Sequence, residues 1–170
     1  MGQHTRASVA GSNMNVEDFL EKASEAGVPP MSGGRLVARR LGSTHEMCDL
    51  LLGLVLSEQK TCTYSLVELL EEEGGLLEPG DRIVFLDADM HPRCVVELDE
   101  CEQLPFNQVN ERHTAGEGPA ARDVKVWREI HAAYWGKWLK SRGQEFHEEV
   151  SVMWQSFRLL HPRPDSSKEA

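Results

Sequence analysis

The sequence has no long apolar run and no surplus of basic residues, and these two absences exclude several classes of protein. A membrane-spanning helix needs about 20 consecutive apolar residues, and no stretch of the 170-residue chain provides them. The 28 acidic residues outnumber the 18 lysines and arginines, which gives a formal net charge of −10. Because affinity for long nucleic acids comes largely from cations that neutralise phosphates, we expect neither a membrane protein nor a protein that binds long duplex DNA.

Cysteine is scarce and is not spaced for metal binding. The four cysteines form no C-x-x-C pair and show no histidine-rich spacing; they are Cys48, Cys62, Cys94 and Cys101. A structural zinc site is therefore not expected, and we predict that the protein holds no metal and no cofactor. The N-terminal residues also lack the hydrophobic segment of a signal peptide. We expect reduced, mostly buried thiols in a cytoplasmic protein.

Apolar residues make up 40% of the chain, which is enough for one domain with a substantial core. We expect residues 1–14 to form a disordered leader, residues 15–160 to form a single domain and residues 161–170 to form a polar tail. The oligomeric state cannot be read from these patterns.

The spacing of apolar residues predicts both helices and strands. Helices are predicted over residues 16–26, 45–56, 65–73, 109–115 and 123–140. Strands are predicted over residues 82–86, 93–98 with an extension to 104, and 150–159. Asn15 and either Ser43 or Thr44 are expected to cap the first two helices. Strands separated by helices, two of them adjacent and antiparallel, indicate an α+β fold with a small β-barrel surrounded by helices.

Three chemical groups stand out from this background. Lys60 and Thr63 follow directly after the second predicted helix, and Glu117 lies between Gly116 and Gly118. An amine, a hydroxyl and a carboxyl group can together form a proton-transfer site. Residues three apart in a regular strand face opposite sides, so Lys60 and Thr63 share a pocket only if Lys60 precedes the strand or a bulge intervenes. The two glycines would let the Glu117 backbone form an unusual turn and approach a ligand.

The run Lys60-Thr61-Cys62-Thr63-Tyr64-Ser65 resembles the Gly-x-Lys-x-x-Thr-x-Arg signature of ASCH domains, which are relatives of the PUA RNA-binding fold. Lys60 and Thr63 match, whereas Glu58 replaces the glycine and Ser65 replaces the arginine. Further segments agree in order with the longer bacterial-type ASCH proteins: Glu71 to Gly74, Pro79 to Asp81, Pro105-Phe106, Gly116 to Gly118 and Trp127 to His131. The resemblance extends from about Val16 to Leu160 and implies a PUA-like small β-barrel surrounded by helices.

The resemblance also implies a chemistry. Some small ASCH proteins are amidohydrolases that remove the acetyl group from acetylated cytidine with a lysine, a threonine and a glutamate, which correspond to Lys60, Thr63 and Glu117 here. Thr63 would attack the amide or orient a water molecule, Lys60 would act as a base if burial favours its neutral form, and Glu117 would pass a proton to the leaving amine. Other ASCH members are ribonucleases or non-catalytic RNA-binding modules, and both alternatives stay open.

Four further residues are candidates for binding a nucleoside, a nucleotide or a short RNA. Tyr64 either stacks on a base or packs inward, and His131 is either a buried histidine or a wall of the pocket. Ser65 lies in the motif, although Ser65 or Thr63 can instead cap the following helix. Arg40, in a cluster with Arg35 and Arg39, either meets a phosphate or belongs to a charged surface. The helical spacing of Trp127 and Trp135 favours a place in the core.

Overall fold

The computed structural model describes residues 14–164 of the chain. The predicted leader and polar tail lie mostly outside these residues, so the proposed division into a leader, a domain and a tail stays a prediction. None of the helices within residues 14–164 combines the length and the apolar character that a membrane crossing requires.

Within residues 14–164 the chain forms five α-helices and five β-strands. In order they are α1 (Val16–Glu25), β1 (Leu36–Arg40), α2 (His45–Leu56), β2 (Cys62–Leu66), α3 (Val67–Glu72), β3 (Arg82–Leu86), β4 (Pro92–Pro105), α4 (Glu111–Thr114), α5 (Val124–Ser141) and β5 (Ser151–His161). The bounds predicted for α2 and β3 are confirmed to the residue. Two 3-10 turns, Phe106–Gln108 and Pro119–Ala121, flank α4.

The five strands form one sheet in the order β1-β3-β4-β5-β2. The β1–β3 pair is parallel and the other pairs are antiparallel. Although β1 and β2 are the two edges of the sheet, Arg39 Nη1 on β1 donates a hydrogen bond of 3.3 Å to Ser65 Oγ on β2. The sheet therefore curls until its edges approach each other, and the predicted α+β architecture takes the form of a half-barrel with helices around it.

The interior of the half-barrel is filled mainly by apolar side chains from alternate strand positions. Leu52 and Val55 of α2 pack there against residues of β3 and β5, including Ile83, Phe85 and Phe157. Burial of a large apolar side chain stabilises a fold by roughly 1.5–3 kcal/mol. This cluster consequently holds α2, and the turn that follows it, against the sheet.

The outer face of the sheet is covered by α5 and α1. Trp127 and Trp135 of α5 are buried against Cys62 and Leu66 of β2, which confirms their predicted place in the core. Phe19 of α1 belongs to a separate cluster on β3 and β4. Successive residues of β2 therefore point alternately toward α5 and toward the interior of the half-barrel.

The predicted helix caps are present. Asn15 Oδ1 accepts a hydrogen bond of 2.8 Å from the backbone N–H of Asp18, and Thr44 Oγ1 accepts one of 3.1 Å from the N–H of Met47. Each bond satisfies a donor at the start of a helix that would otherwise lack a partner.

Two strands were missed by the sequence-based prediction. Residues 36–40 had no assignment, and Ser65 and Leu66 belong to β2 rather than to the helix predicted from residue 65. Leu66 is the N-cap residue of α3, without a side-chain cap, so neither Thr63 nor Ser65 caps that helix. Both strands are short edges whose partners lie far along the chain, and local patterns carry little of that information.

The turn after α2 contains an unfavourable backbone conformation. Glu58 has a φ of 60° at the position where helices most often place glycine, and it is the residue that replaces the glycine of the ASCH signature. At the equivalent position after α5 the chain has Gly143, with a φ of 74°. A residue with a Cβ atom in this region costs roughly 1–2 kcal/mol.

We expect Glu58→Gly to raise the free energy of unfolding by about 1 kcal/mol, because it removes this strain. Urea denaturation measures the change. Glu58→Ala removes the same side chain but keeps the Cβ atom, so it should give no such gain, and Gly143→Ala should destabilise the protein. An equal gain for Glu58→Gly and Glu58→Ala would show that the side chain, and not the backbone, is the source.

Candidate functional site

Lys60 is positioned by the turn that ends α2. Its backbone N–H donates to the carbonyl of Leu54 at 3.0 Å, and the next residue, Thr61, donates to the carbonyl of Gly116 at 2.7 Å. Lys60 lies two residues before the start of β2. The alternation of side chains along the strand therefore does not determine the direction of the Lys60 side chain. The Thr61 bond ties this turn to the loop that carries Glu117.

Glu117 is held in that loop by backbone contacts and by an arginine. Its N–H donates to the carbonyl of Thr114 at 2.9 Å. Arg122 Nε donates to the carbonyl of Glu117 at 2.8 Å, and Arg122 Nη2 donates to the carbonyl of Gln59 at 3.0 Å. Arg122 therefore joins the two segments on which the lysine and the glutamate stand.

The two glycines beside Glu117 serve a different purpose from the one predicted. Neither has a positive φ, and Gly118 has a φ of −56°, so the expected unusual turn is wrong. A Cβ atom at Gly116 would lie 2.9 Å from Thr61 Oγ1, and one at Gly118 would lie 2.6 Å from Leu54 Cδ1. The glycines instead let the loop pack closely against α2 and the start of β2.

These contacts bring Lys60 and Glu117 together inside the protein. Lys60 Nζ lies 2.7 Å from Glu117 Oε2, although the residues are 57 positions apart. The two residues are only 5% and 4% exposed, respectively. A charge pair so far removed from water has a large desolvation cost, which the mutual attraction of the two groups only partly offsets.

Tyr64 and Cys62 point toward α5, on the same side as this pair. The Tyr64 hydroxyl donates to the carbonyl of His113 at 2.6 Å, and its ring packs 4.7 Å from that of Trp127. Tyr64 thus packs inward, and burial raises its pKa. Burial also raises the pKa of the Cys62 thiol to about 11. Cys62 is consequently protonated at neutral pH and is a poor nucleophile.

His131 lies in the same region as a partly buried histidine stacked on the core. Its ring is 4.2 Å from the Trp127 ring at an interplanar angle of 19°, and its Nδ1 lies 2.9 Å from the Trp127 carbonyl. Desolvation lowers the His131 pKa, and the Trp127 carbonyl and Glu117 oppose this effect. In the neutral ring, Nδ1–H donates to the carbonyl and Nε2 keeps a lone pair.

Thr63 and Ser65 lie on the other face of β2, toward the interior of the half-barrel. Thr63 is opposite Gln155 of β5, and Ser65 accepts the hydrogen bond from Arg39. In the described part of the chain no hydrogen bond joins Thr63 to Lys60 or Glu117. The predicted trio is therefore brought together in part: the amine and the acid meet, and the threonine hydroxyl stands across the strand.

Arg40 lies on the exposed side of β1. Because alternate residues face opposite sides of a strand, Arg40 points away from the face that carries Arg39 and Ser65. Its side chain makes no hydrogen bond or ion pair with other residues between 14 and 164. The arginine that reaches the motif is Arg39, which the sequence pattern did not separate from its neighbour.

Sequence reasoning also missed Gln155. This side chain is fully buried, and neither atom of its amide group has a hydrogen-bond partner within the described residues. A signal was available, because Gln155 stands between the apolar Met153 and Phe157 on the same face of the strand.

Two other features lie away from these residues. Ligand atoms of Asp87, Asp89 and His91 lie within 4.8 Å of one another in the turn between β3 and β4. Asp87 Oδ1 accepts hydrogen bonds from the N–H groups of Asp89 and His91, which explains the cluster as a turn. An open groove of about 530 Å³ beside α4 contains none of the predicted site residues; it is lined by Val109, Asn110, Glu111, Arg112, Val124 and Arg128.

A curled half-barrel with a buried Lys–Glu pair beside its edge strand defines a PUA-like domain with an ASCH-type motif. The ASCH domain family model matches residues 38–161, and the chain therefore belongs to this family. The predicted family and fold class are confirmed, and the narrower resemblance to bacterial-type members stays a prediction.

Solved structures agree with this assignment. The chain is similar to an ASCH domain from Lactobacillus crispatus, with a TM-score of 0.75 and 22% identity over 85% of this chain and 92% of that one. It is also similar to a protein from Enterococcus faecalis, with a TM-score of 0.69 and 26% identity over the same shares of the two chains. No curated protein sequence matches the chain.

The Lys60–Glu117 pair should show strong energetic coupling. Lys60→Met and Glu117→Leu should each destabilise the protein by about 3–5 kcal/mol, because each leaves a buried charge without its partner. The double variant should lose much less stability than the sum of the two single losses, because neither buried charge remains. Urea denaturation of the four proteins measures the coupling energy.

The matched control is the half-exposed pair of Arg142 and Glu72, for which the same cycle should give less than about 1 kcal/mol. Additive effects of the Lys60 and Glu117 substitutions would contradict the buried ion pair.

His131 should make stability depend on pH. Its pKa is lower in the folded protein than the value of about 6.5 in an unfolded chain, so the unfolded state binds the proton more readily. The contribution of His131 to the stability of the fold is complete above the unfolded pKa of about 6.5. It is lost as the pH falls toward the lower pKa of the folded protein. Stability of wild-type protein and of His131→Phe, measured by urea denaturation from pH 8 to pH 5, should converge on acidification. Parallel wild-type and His131→Phe curves would refute the assignment.

Proposed function

We propose that this ASCH domain binds a nucleoside, a nucleotide or a short RNA and hydrolyses an exocyclic amide on a modified pyrimidine, with acetylated cytidine as the model substrate. The observation that carries the proposal is the buried Lys60–Glu117 pair, whose charged atoms are 2.7 Å apart. A buried ion pair is weak evidence for a stabilising role, because apolar residues of similar volume often serve as well or better. Ionisable groups that a fold brings together in its interior are also candidates for a functional site.

The pair can supply both proton transfers that amide hydrolysis requires. The Glu117 carboxylate accepts a proton from water as the water oxygen forms a bond to the acyl carbon. The Lys60 ammonium donates a proton to the exocyclic nitrogen as the carbon–nitrogen bond breaks. A proton then returns from Glu117 to Lys60 along their hydrogen bond. The products are a carboxylic acid and the free amine of the base, and the pair is restored.

Thr63 fits a supporting role in this scheme. Because no hydrogen bond within residues 14–164 connects it to Lys60 or Glu117, neither group stands ready to take its proton. Orientation of the attacking water by the Thr63 hydroxyl is therefore better supported than direct attack on the amide. A ligand would have to lie across the beginning of β2 to contact both Thr63 and the ion pair.

The predicted binding residues differ in their support. His131 is favoured as part of the wall of the ligand pocket, because it lies close enough to Lys60 and Glu117 for both charges to influence its pKa. Ser65 faces the half-barrel interior and contacts Arg39. Tyr64 already uses its hydroxyl within the protein, which leaves it a packing role behind the site. Arg40 has no support, because it is exposed on the far side of β1.

Hydrolysis of acetylcytidine tests the proposal. Wild-type protein should release acetate, and Glu117→Gln should reduce the rate by roughly 10²–10⁴-fold, the usual effect of losing a general base. Lys60→Arg should give a similar loss while keeping a positive charge, because arginine does not give up its proton. Circular dichroism would establish that each variant is folded, and Lys22→Met, at an exposed position of α1, serves as the control. No acetate release by folded wild-type protein would refute the enzymatic proposal.

The second candidate is a non-catalytic RNA-binding module. The position of Thr63 across β2 from the ion pair favours it, as does Ser65 in place of the signature arginine. This candidate requires salt-sensitive binding of short RNA that survives Glu117→Gln and is accompanied by no turnover. A ribonuclease, the third alternative, would be recognised by metal-independent cleavage of the same RNA.

A further inference from the structure

The interior face of β2 and β5 contains a glutamine whose polar atoms have no partners. Gln155 is fully buried, and both its Oε1 and its Nε2 lack a hydrogen bond within the described residues. An unsatisfied buried polar group is destabilising, and most such groups in proteins are paired with protein, water or ligand. An amide with a free donor and a free acceptor suits a ligand that presents the complementary pair.

Arg39 places a cation beside Ser65, on the same interior face as this glutamine. Its Nη1 donates to Ser65 Oγ at 3.3 Å, and its Nε is buried without a partner. Among residues 14–164 no carboxylate forms an ion pair with Arg39. Desolvation is the main cause that lowers its pKa, but an arginine keeps its charge at neutral pH. Glu73 is near enough to favour the charged form of Arg39 but forms no ion pair with it, and an anionic ligand in direct contact would offset more of the cost of burying the cation.

The register of the sheet relates Gln155 to Ser65, the residue that the Arg39 guanidinium contacts. Gln155 is directly opposite Thr63, so both side chains face the interior. Ser65 is two residues along the same face and is therefore a diagonal neighbour of Gln155, at about 7–8 Å. Arg39 and Gln155 are thus related on the interior face through one intervening residue, Ser65.

The position of Arg39 also explains why this chain can have a serine, Ser65, where the ASCH signature has an arginine. Ser65 occupies the place of the arginine in the ASCH signature. The 3.3 Å contact brings a guanidinium from β1 to the hydroxyl of that serine, so a positive charge is present at the same place from another strand. The shorter serine leaves room for it.

We propose that Arg39 and Gln155 form the recognition end of the binding site, and that the ligand is a pyrimidine nucleotide whose phosphate meets Arg39 and whose base edge meets Gln155. A guanidinium pairs well with phosphate oxygens, and the Gln155 amide matches a ring edge with a donor beside an acceptor. This inference rests on the proposed function, since it names the ligand class of that site and adds two residues to it.

Isothermal titration with CMP and with cytidine tests the inference through binding alone. Wild-type protein should bind CMP at least 10-fold more tightly than cytidine. Arg39→Met should remove that preference, and Arg40→Met, which changes the neighbouring arginine on the opposite face of β1, should keep it. If Arg39→Met does not fold, Arg39→Lys should reduce the preference, because lysine lacks the planar fork.

Gln155→Met gives a second readout that a purely structural role would not produce. It should weaken binding of CMP and of cytidine alike by about 10-fold or more. It should also raise the free energy of unfolding of the unliganded protein, because it removes two unsatisfied buried groups. Lower stability with unchanged binding would mean that the amide is satisfied by ordered water and would overturn the assignment of Gln155.

The outcomes separate this inference from the proposed function. Equal affinity of wild-type protein for CMP and cytidine, or equal effects of Arg39→Met and Arg40→Met, would overturn the phosphate assignment while leaving hydrolysis at Lys60 and Glu117 possible. Binding that follows the expected pattern without acetate release would support the inference and refute only the enzymatic step. No binding of either compound would overturn the inference, and acetate release would then decide the proposed function by itself.

Discussion

The buried contact between Lys60 and Glu117 is the interaction on which the site depends. It connects the turn after α2 with the loop before α5, and the backbone bond from Thr61 to Gly116 and the bridge through Arg122 support the same junction. The glycines on either side of Glu117 allow that close approach. Several weak local contacts thus hold two oppositely charged groups largely shielded from solvent, and this arrangement is the reason to consider proton transfer.

Strand β2 divides the candidate residues into two groups. Tyr64 faces the aromatic side chains of α5, whereas Thr63 and Ser65 face the half-barrel interior. The ion pair stands at the beginning of the strand, where the two sides meet. Catalysis therefore requires a ligand positioned at this end of β2, while binding alone requires only the interior. This geometry is why a catalytic and a binding function remain distinct hypotheses with different experimental consequences.

Local sequence patterns predicted the parts of the structure that depend on nearby residues. The bounds of α2 and β3 follow from apolar spacing and capping, as Thr44 illustrates. The pairing of Lys60 with Glu117 was reached through the family resemblance, because nothing in local spacing links residues so far apart. The edge strands β1 and β2 were missed because their partners are remote. For the same reason Arg40 was selected over Arg39: the alternation that separates them exists only once residues 36–40 form a strand.

The half-barrel is closed along one side by side chains and not by a backbone ladder. Arg39 reaches Ser65 across the gap between the two edge strands, and a single neutral-acceptor bond of this kind contributes about 1 kcal/mol. Movement of this one arginine side chain would break the contact while every strand pairing stayed intact. Loss of the contact between the two edges therefore costs far less free energy than loss of any ladder between two strands.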